Sequence, residues 1–245
     1  MISLPKFPRV QPWMTTARGL IGCWPFFEGV GPTLHDVSGH GLDATISGAT
    51  WADGLGTGPL LDFNALGAQA QTGNPQWAPV TNTVTVIVRA VCEVSLAPPE
   101  TAYLYGGMLV SRRMPAKTPF CGLLLTGNSN GGDSTAPGSP LGMCWNNTAA
   151  EYDASTGLFP KVGVPFLAAG IVAPGALTTW LIDETGGAVS YTLTQSNPAR
   201  ALSDPWTFGN DPQLLQYWPG RIFEARIYDR VLPPSELWGI YTGNG

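Results

Sequence analysis

Short apolar runs recur along this chain between Gly, Pro and Asn, and two of the longest alternate apolar with polar residues in period two. The longest run is Thr83-Val84-Thr85-Val86-Ile87-Val88-Arg89-Ala90-Val91-Cys92-Glu93-Val94, rich in β-branched residues and predicted to be a strand. Shorter runs predict a strand ending in a turn at 19–29, a glycine turn running into another strand at 36–46, and strands at 51–54, 60–63, 108–111, 120–125, 142–145, 166–172, 178–182 and 189–193. Near the C-terminus, 220–228 alternates with Phe223, Ala225 and Ile227 on one side and Ile222, Glu224, Arg226 and Tyr228 on the other. Pro233 and Pro234 then open a short helix, in which Leu237, Ile240 and Tyr241 recur at helical spacing. No amphipathic helix is visible earlier. Strands punctuated by turns in this way predict an all-β, two-sheet antiparallel sandwich. Residues 127–140 read as a long surface loop, and 146–157 as a loop around Glu151 and Asp153.

Composition narrows the reading. Gly 31 and Pro 23 are spread along the 245 residues, and Trp 9, Phe 9 and Tyr 7 supply a core, so the Gly and Pro mark turns rather than disorder. Charged residues are 12%, about half the usual quarter, and the net charge is −5 with no basic run. Nucleic acid and anionic lipid are therefore not expected partners. Residues 1–18 carry Pro5, Pro8 and Pro12 and are expected to form an extended arm, with 19–245 as one domain. Pro5, Phe7, Pro8, Pro12 and Trp13 are its expected assembly contacts. No signal peptide or membrane span is seen. Cys23, Cys92, Cys121 and Cys144 form no C-x-x-C pair and are expected as buried free thiols.

Two stretches together resemble the laminin-G-like, concanavalin A-like jelly-roll family. The first runs from Gly19-Leu20-Ile21-Gly22-Cys23-Trp24 through Phe26 and Glu28-Gly29, the turn Asp36-Val37-Ser38-Gly39-His40-Gly41, and Leu60-Leu61-Asp62-Phe63. The second is Gly220-Arg221-Ile222-Phe223-Glu224-Ala225-Arg226-Ile227-Tyr228-Asp229-Arg230-Val231-Leu232. Their order and separation match that family over roughly residues 18 to 242. The resemblance implies a concanavalin A-like jelly roll whose last strand pairs near the first, at 19–27. It also implies one structural Ca2+, to which Asp36, Ser38 and the turn carbonyls would contribute, with Glu28 nearby. The family's acidic residue in the last strand is Phe223 here, and calcium wants six to eight oxygens. The other reading of Asp36, an Asx-turn cap that satisfies backbone N–H groups, is therefore preferred, and no cofactor is expected.

Other candidate chemistry is sparse. Gly127-Asn128-Ser129-Asn130-Gly131 has the form G-x-S-x-G, but both histidines, His35 and His40, precede it, and a nucleophile elbow needs its His later. Glu151-Tyr152-Asp153 begins a hydrolase-like carboxylate cluster but lacks its last Glu. No enzyme is expected. Sugar binding would draw on Trp77, Trp145, Trp206, Tyr217 and Trp218 for stacking, with Asn210 and Asp211 beside them; Trp24, Trp51 and Trp180 are expected in the core.

These features predict a non-catalytic virion structural or decoration protein, a lectin-like jelly roll on a phage capsid or tail. Its expected partners are other virion proteins, further copies of itself and host cell-surface glycans. The alternatives are a carbohydrate-binding module of a secreted or surface protein, which would be extracellular, and a glycoside hydrolase.

Overall fold

A computed structural model describes residues 17–54, 58–73, 83–94, 108–112, 123–126, 142–146, 151–155, 158, 160–183, 188–194, 205–211 and 216–243. In chain order the strands begin with β1 (Leu20–Trp24), β2 (Thr33–Leu34), β3 (Ala44–Ser47), β4 (Thr50–Gly54), β5 (Gly58–Asp62) and β6 (Gln69–Thr72). They continue with β7 (Val84–Cys92), β8 (Met108–Arg112), β9 (Leu123–Thr126), β10 (Gly142–Asn146), β11 (Glu151–Ser155) and β12 (Phe166–Ala173). The last are β13 (Ala176–Asp183), β14 (Ala188–Thr194), β15 (Trp206–Phe208), β16 (Asn210–Asp211), β17 (Gln216–Tyr217) and β18 (Gly220–Tyr228), before the helix α1 (Pro234–Thr242).

Two antiparallel sheets form the sandwich. The first runs β14-β13-β12-β7-β18-β5-β4, and the second β11-β10-β9-β8-β15-β6-β3-β2. The expected closing pair is present, because β1 lies against β18 with Leu20 opposite Tyr228 and Trp24 opposite Ala225. β5 occupies the neighbouring stretch of β18 through Arg221 and Ile222. Arg230 fastens this junction. Its Nε donates to the Arg18 carbonyl, and its two terminal nitrogens donate to the two carboxylate oxygens of Glu236 in α1.

The face assignment in β18 differs from the period-two reading. A bulge sets Ile222 opposite Ala90 but Glu224 opposite Arg89, so Phe223 is one residue too many for its partner strand. Ile222 therefore joins Ala225 and Ile227 in the core between the sheets, while Phe223 packs outside with Leu60 and Val91. An even alternation across an inserted residue must fail. Among the strands not expected from the sequence are β6, whose hydrophobicity is low, the three-residue β15, and β11, where 151–155 is a strand and not a loop. The 127–140 loop, the arm of 1–16 and its Pro5, Phe7, Pro8, Pro12 and Trp13 lie outside the described residues.

Between the sheets, Trp24 lies 4.8 Å from Phe208 ring to ring, and Phe166 meets Trp218 edge-on at 5.7 Å. The polar tips of both indoles are satisfied: Trp24 Nε1 donates to the Leu42 carbonyl (2.8 Å) and Trp218 Nε1 to that of Val91 (3.2 Å). Trp51 and Trp180, expected in the core, are only partly buried and pack on its margins. Outside the first sheet, α1 lays Leu237 and Ile240 on Leu20, Cys23, Ile87 and Leu167. Each such burial stabilises by roughly 1.5–3 kcal/mol. The helix thus closes that sheet's outer face over this region.

Under α1 lies a buried ionic stripe. The Arg226 guanidinium donates to Glu224, and both side chains are almost wholly buried. Burial alone would push Arg226 down, but Glu224 beside it outweighs that and holds the guanidinium above its ordinary range. Arg89, chiefly through burial, is lowered to about 10. Cys23 and Cys92 are free and buried; desolvation is the main reason that Cys23 rises to about 12 and Cys92 to about 11.

Two outcomes are expected of these thiols. In the native protein at pH 8, iodoacetamide should leave Cys23 and Cys92 unmodified, as peptide mapping will show, whereas both react in denaturant. A thiol whose folded pKa is raised above its ordinary 9.0 stabilises fully below pH 9 and loses that contribution as pH climbs towards the folded value. Melting temperature should accordingly fall between pH 9 and pH 12, and fall less in a Cys23→Ala variant.

Candidate functional site

The second sheet presents a different outer surface. In β3, Ala44 and Ile46 point into the core while Thr45 and Ser47 are exposed; in β6, Ala70 and Thr72 point inward while Gln69 and Gln71 are half-buried on the outside. Alternation with small inward residues (Ala, Thr) accounts for both the strand and its low hydrophobicity. Register then aligns the outward residues across strands. Thr33 lies opposite Thr45, Thr45 opposite Gln71, and Gln71 opposite Thr207. Ser47 and Gln69 form a second, parallel row. Gln71 Nε2 donates to Thr207 Oγ1 at 3.0 Å, and Asn210 Nδ2 to Gln69 Oε1 at 3.4 Å.

Two residues beyond Thr33 and two before Thr45, His35 and Asp43 meet. His35 Nδ1 lies 3.0 Å from Asp43 Oδ2, with the two side chains 57% and 49% exposed. The imidazole's other nitrogen is left to a ligand or to water. The resulting patch carries hydroxyls, carboxamides, one imidazole and one carboxylate, side by side on three adjacent strands. The hydroxyls, carboxamides and imidazole both donate and accept hydrogen bonds, the carboxylate accepts them, and none is a strong nucleophile.

Asp36 holds this patch in place. Its Oδ1 accepts the N–H groups of Cys23 (2.9 Å) and Ser38 (2.9 Å), and its Oδ2 accepts Ser38 Oγ–H (2.8 Å) and the Leu42 N–H (3.0 Å). The Asp36 N–H itself donates to Asp43 Oδ1 (2.9 Å), and the His35 N–H to Glu28 Oε1 (2.7 Å). Cys23 belongs to the first sheet and β2–β3 to the second, so one carboxylate bridges the layers at this end. The preceding turn is strained: Phe26 sits at φ 51° with its ring fully buried, 6.1 Å from Phe208.

This geometry does not fit calcium at Asp36. All four of its in-plane acceptor positions are taken by N–H or O–H donors, the arrangement of an Asx turn. Among the described residues no three His, Cys, Asp or Glu side chains converge as a metal site. Phe223 is also not opposite this turn. Cys23, which Asp36 holds, faces Arg226 in β18, whereas Phe223 packs with Leu60 and Val91. Phe223 thus does not stand where an acidic residue would complete a metal site at Asp36. Of the proposed metal residues, Glu28 and Ser38 are turn-fastening groups like Asp36.

The aromatic platform expected for sugars is not where the sequence put it. Trp206, Tyr217 and Trp218 are buried, and so is Asn210, so none offers a face to solvent. They sit in or beside short strands whose apolar side turns into the sandwich. Asp211 and Trp145 lie in β16 and β10, their side chains outside the described set, as are Trp77 and the G-x-S-x-G stretch. Glu151 and Asp153 stand two positions apart on β11, an end strand of the second sheet. The outer-face residues Thr33, Thr45, Gln69 and Gln71 were not singled out in the sequence. Their signal was the alternation Ala-Thr-Ile-Ser and Gln-Ala-Gln-Thr.

No protein-family model matches the chain, and no curated protein matches it in sequence. Solved structures share its fold. Domain 4 of AbnA, a GH43 extracellular arabinanase from Geobacillus stearothermophilus in complex with arabinotriose, is similar at 18% identity and a TM-score of 0.64, over 91% of this chain and 98% of that domain. Trypanosoma rangeli sialidase is similar at 16% identity and a TM-score of 0.61 over 98% of this chain, which spans 36% of the sialidase. The binding domain of botulinum neurotoxin serotype D is similar at 10% identity and a TM-score of 0.63, over 93% of this chain and 52% of that one. The fold is therefore a two-sheet antiparallel β-sandwich of concanavalin A-like architecture, shared with these three domains. None of these three is a virion protein.

Removing the bridge should be costly. Asp36→Ala leaves the N–H groups of Cys23, Ser38 and Leu42 without their acceptor, and a loss of about 3 kcal/mol is expected from urea unfolding. Calcium added to either protein is expected to leave the midpoint unchanged.

Proposed function

We propose that this chain is a non-catalytic carbohydrate-binding module whose glycan site is the outer face of β2, β3 and β6. The observation that carries this reading is the aligned row Thr33, Thr45 and Gln71, flanked by Ser47, Gln69 and the His35–Asp43 pair. Sugar hydroxyls donate and accept at once, and hydroxyl and carboxamide side chains answer both demands without a metal. The opposite sheet offers less, since α1 covers part of its outer face. The similarity to an arabinanase domain bound to arabinotriose supports the same class of ligand.

Binding without turnover is the simplest reading of the face. Glycoside hydrolysis needs an acid and a second carboxylate across the scissile bond. Among the described residues the carboxylate on this face is Asp43, and its two oxygens are engaged by the Asp36 N–H and the His35 ring. An extracellular setting accords with a glycan-binding module. The virion-display reading drawn from the sequence has no observation here in its favour and is not carried forward.

The test is calorimetric titration with arabinotriose and a panel of neutral plant and bacterial oligosaccharides. At least one should bind. The double variant Thr45→Ala/Gln71→Ala, which deletes about two hydrogen bonds of roughly 1 kcal/mol each to the ligand, should weaken it at least tenfold at a temperature where circular dichroism shows the variant fully folded. No binding across the panel, or binding indifferent to the double variant, contradicts the reading.

A further inference from the structure

The geometry of this face points further, to the shape and charge of the ligand: we infer an uncharged linear glycan lying across the strands. This rests on the carbohydrate-binding reading above. Polar side chains on one strand repeat along its length, but here the matched residues also repeat across strands, because Thr33, Thr45 and Gln71 are direct register partners. Adjacent strands are about 4.8 Å apart, so three of them span about 10 Å, roughly two to three sugar rings. Each ring laid across the sheet would meet a hydroxyl or carboxamide at nearly the same height.

The row has a closed end and an open one. Thr207, the next partner after Gln71, is buried and already accepts the Gln71 carboxamide. A ligand chain therefore ends, in contact terms, at Gln71, while the β2 side at Thr33 is only half-buried and Thr45 is exposed. The parallel pair Ser47 and Gln69 widens the track on one side, and His35 with Asp43 borders it on the other. This predicts a short subsite array, filled by about three rings and gaining nothing from more.

Charge selects as well. Among the described side chains of this face, the ionised group at neutral pH is the Asp43 carboxylate, and the chain as a whole carries −5. A glycan bearing carboxylates would approach like charge, with no Lys or Arg among the described side chains of this row to receive it. Neutral pentose or hexose chains avoid that cost.

Length series separate this inference from its parent. Arabino-oligosaccharides and cello-oligosaccharides of one to five rings, and oligogalacturonates of the same lengths, would be titrated into the intact chain. For a neutral series that binds, affinity should rise at least tenfold from one ring to three and then change less than twofold to five. The acidic series should bind at least tenfold more weakly at low salt. Thr45→Lys, which sets a long cation in the middle of the row, should abolish the length dependence without changing the melting temperature. Single sugars that bind as tightly as trimers, continued gains beyond four rings, or a preference for oligogalacturonates would each overturn the inference while leaving glycan binding intact. Failure of every series would overturn both.

Discussion

One carboxylate joins the two layers where the proposed ligand surface begins. Asp36 receives donors from β1 in the first sheet, from its own turn and from the approach to β3. Unpaired, those N–H groups would be an uncompensated cost in a partly buried turn. Paired, they fix where His35 and Asp43 stand, and those residues border the polar row. The same saturation explains why the turn can do without a metal, since a carboxylate whose lone pairs are full has none for a cation.

The two sheets divide the work. The first is closed from outside by α1, whose Leu237 and Ile240 join the apolar cluster of Leu20, Cys23, Ile87 and Leu167 and whose Tyr241 ring lies 5.8 Å from the Arg89 guanidinium. A bulge at Phe223 makes that closure workable: it keeps Ile222, Ala225 and Ile227 inward and turns Phe223 onto Leu60 and Val91. The second sheet keeps an outward surface of small polar groups over β2, β3 and β6. One sheet is thus covered from outside by a helix, and the other leaves the polar row of Thr33, Thr45 and Gln71 on its outer face.

The sequence announced the strong strands clearly. Residues 83–94 and 220–228 became β7 and β18, and the expected partnership of the last strand with the first is seen in β1 and β18. The faces of β18 were not legible, because a one-residue bulge leaves no mark in an alternating string. Nor was β6, whose Gln-Ala-Gln-Thr buries only an alanine and a threonine. The site suffered from the same blindness. Large aromatics drew attention to Trp206, Tyr217 and Trp218, yet bulk is what the core demands, and the structure buries them. Thr45, Gln69 and Gln71 acquire meaning only through register, which joins residues far apart in the chain.

The central claim is that a neutral glycan lies on the outer face of the second sheet. The most direct measurement is an amide-resolved NMR titration of the intact chain with a bound neutral trisaccharide. The side-chain carboxamides of Gln69 and Gln71 and the backbone amides of Thr33, Thr45 and Ser47 should shift together, saturating with one affinity. Shifts gathered instead around the exposed Trp238 indole on α1, with those carboxamides unmoved, would contradict it.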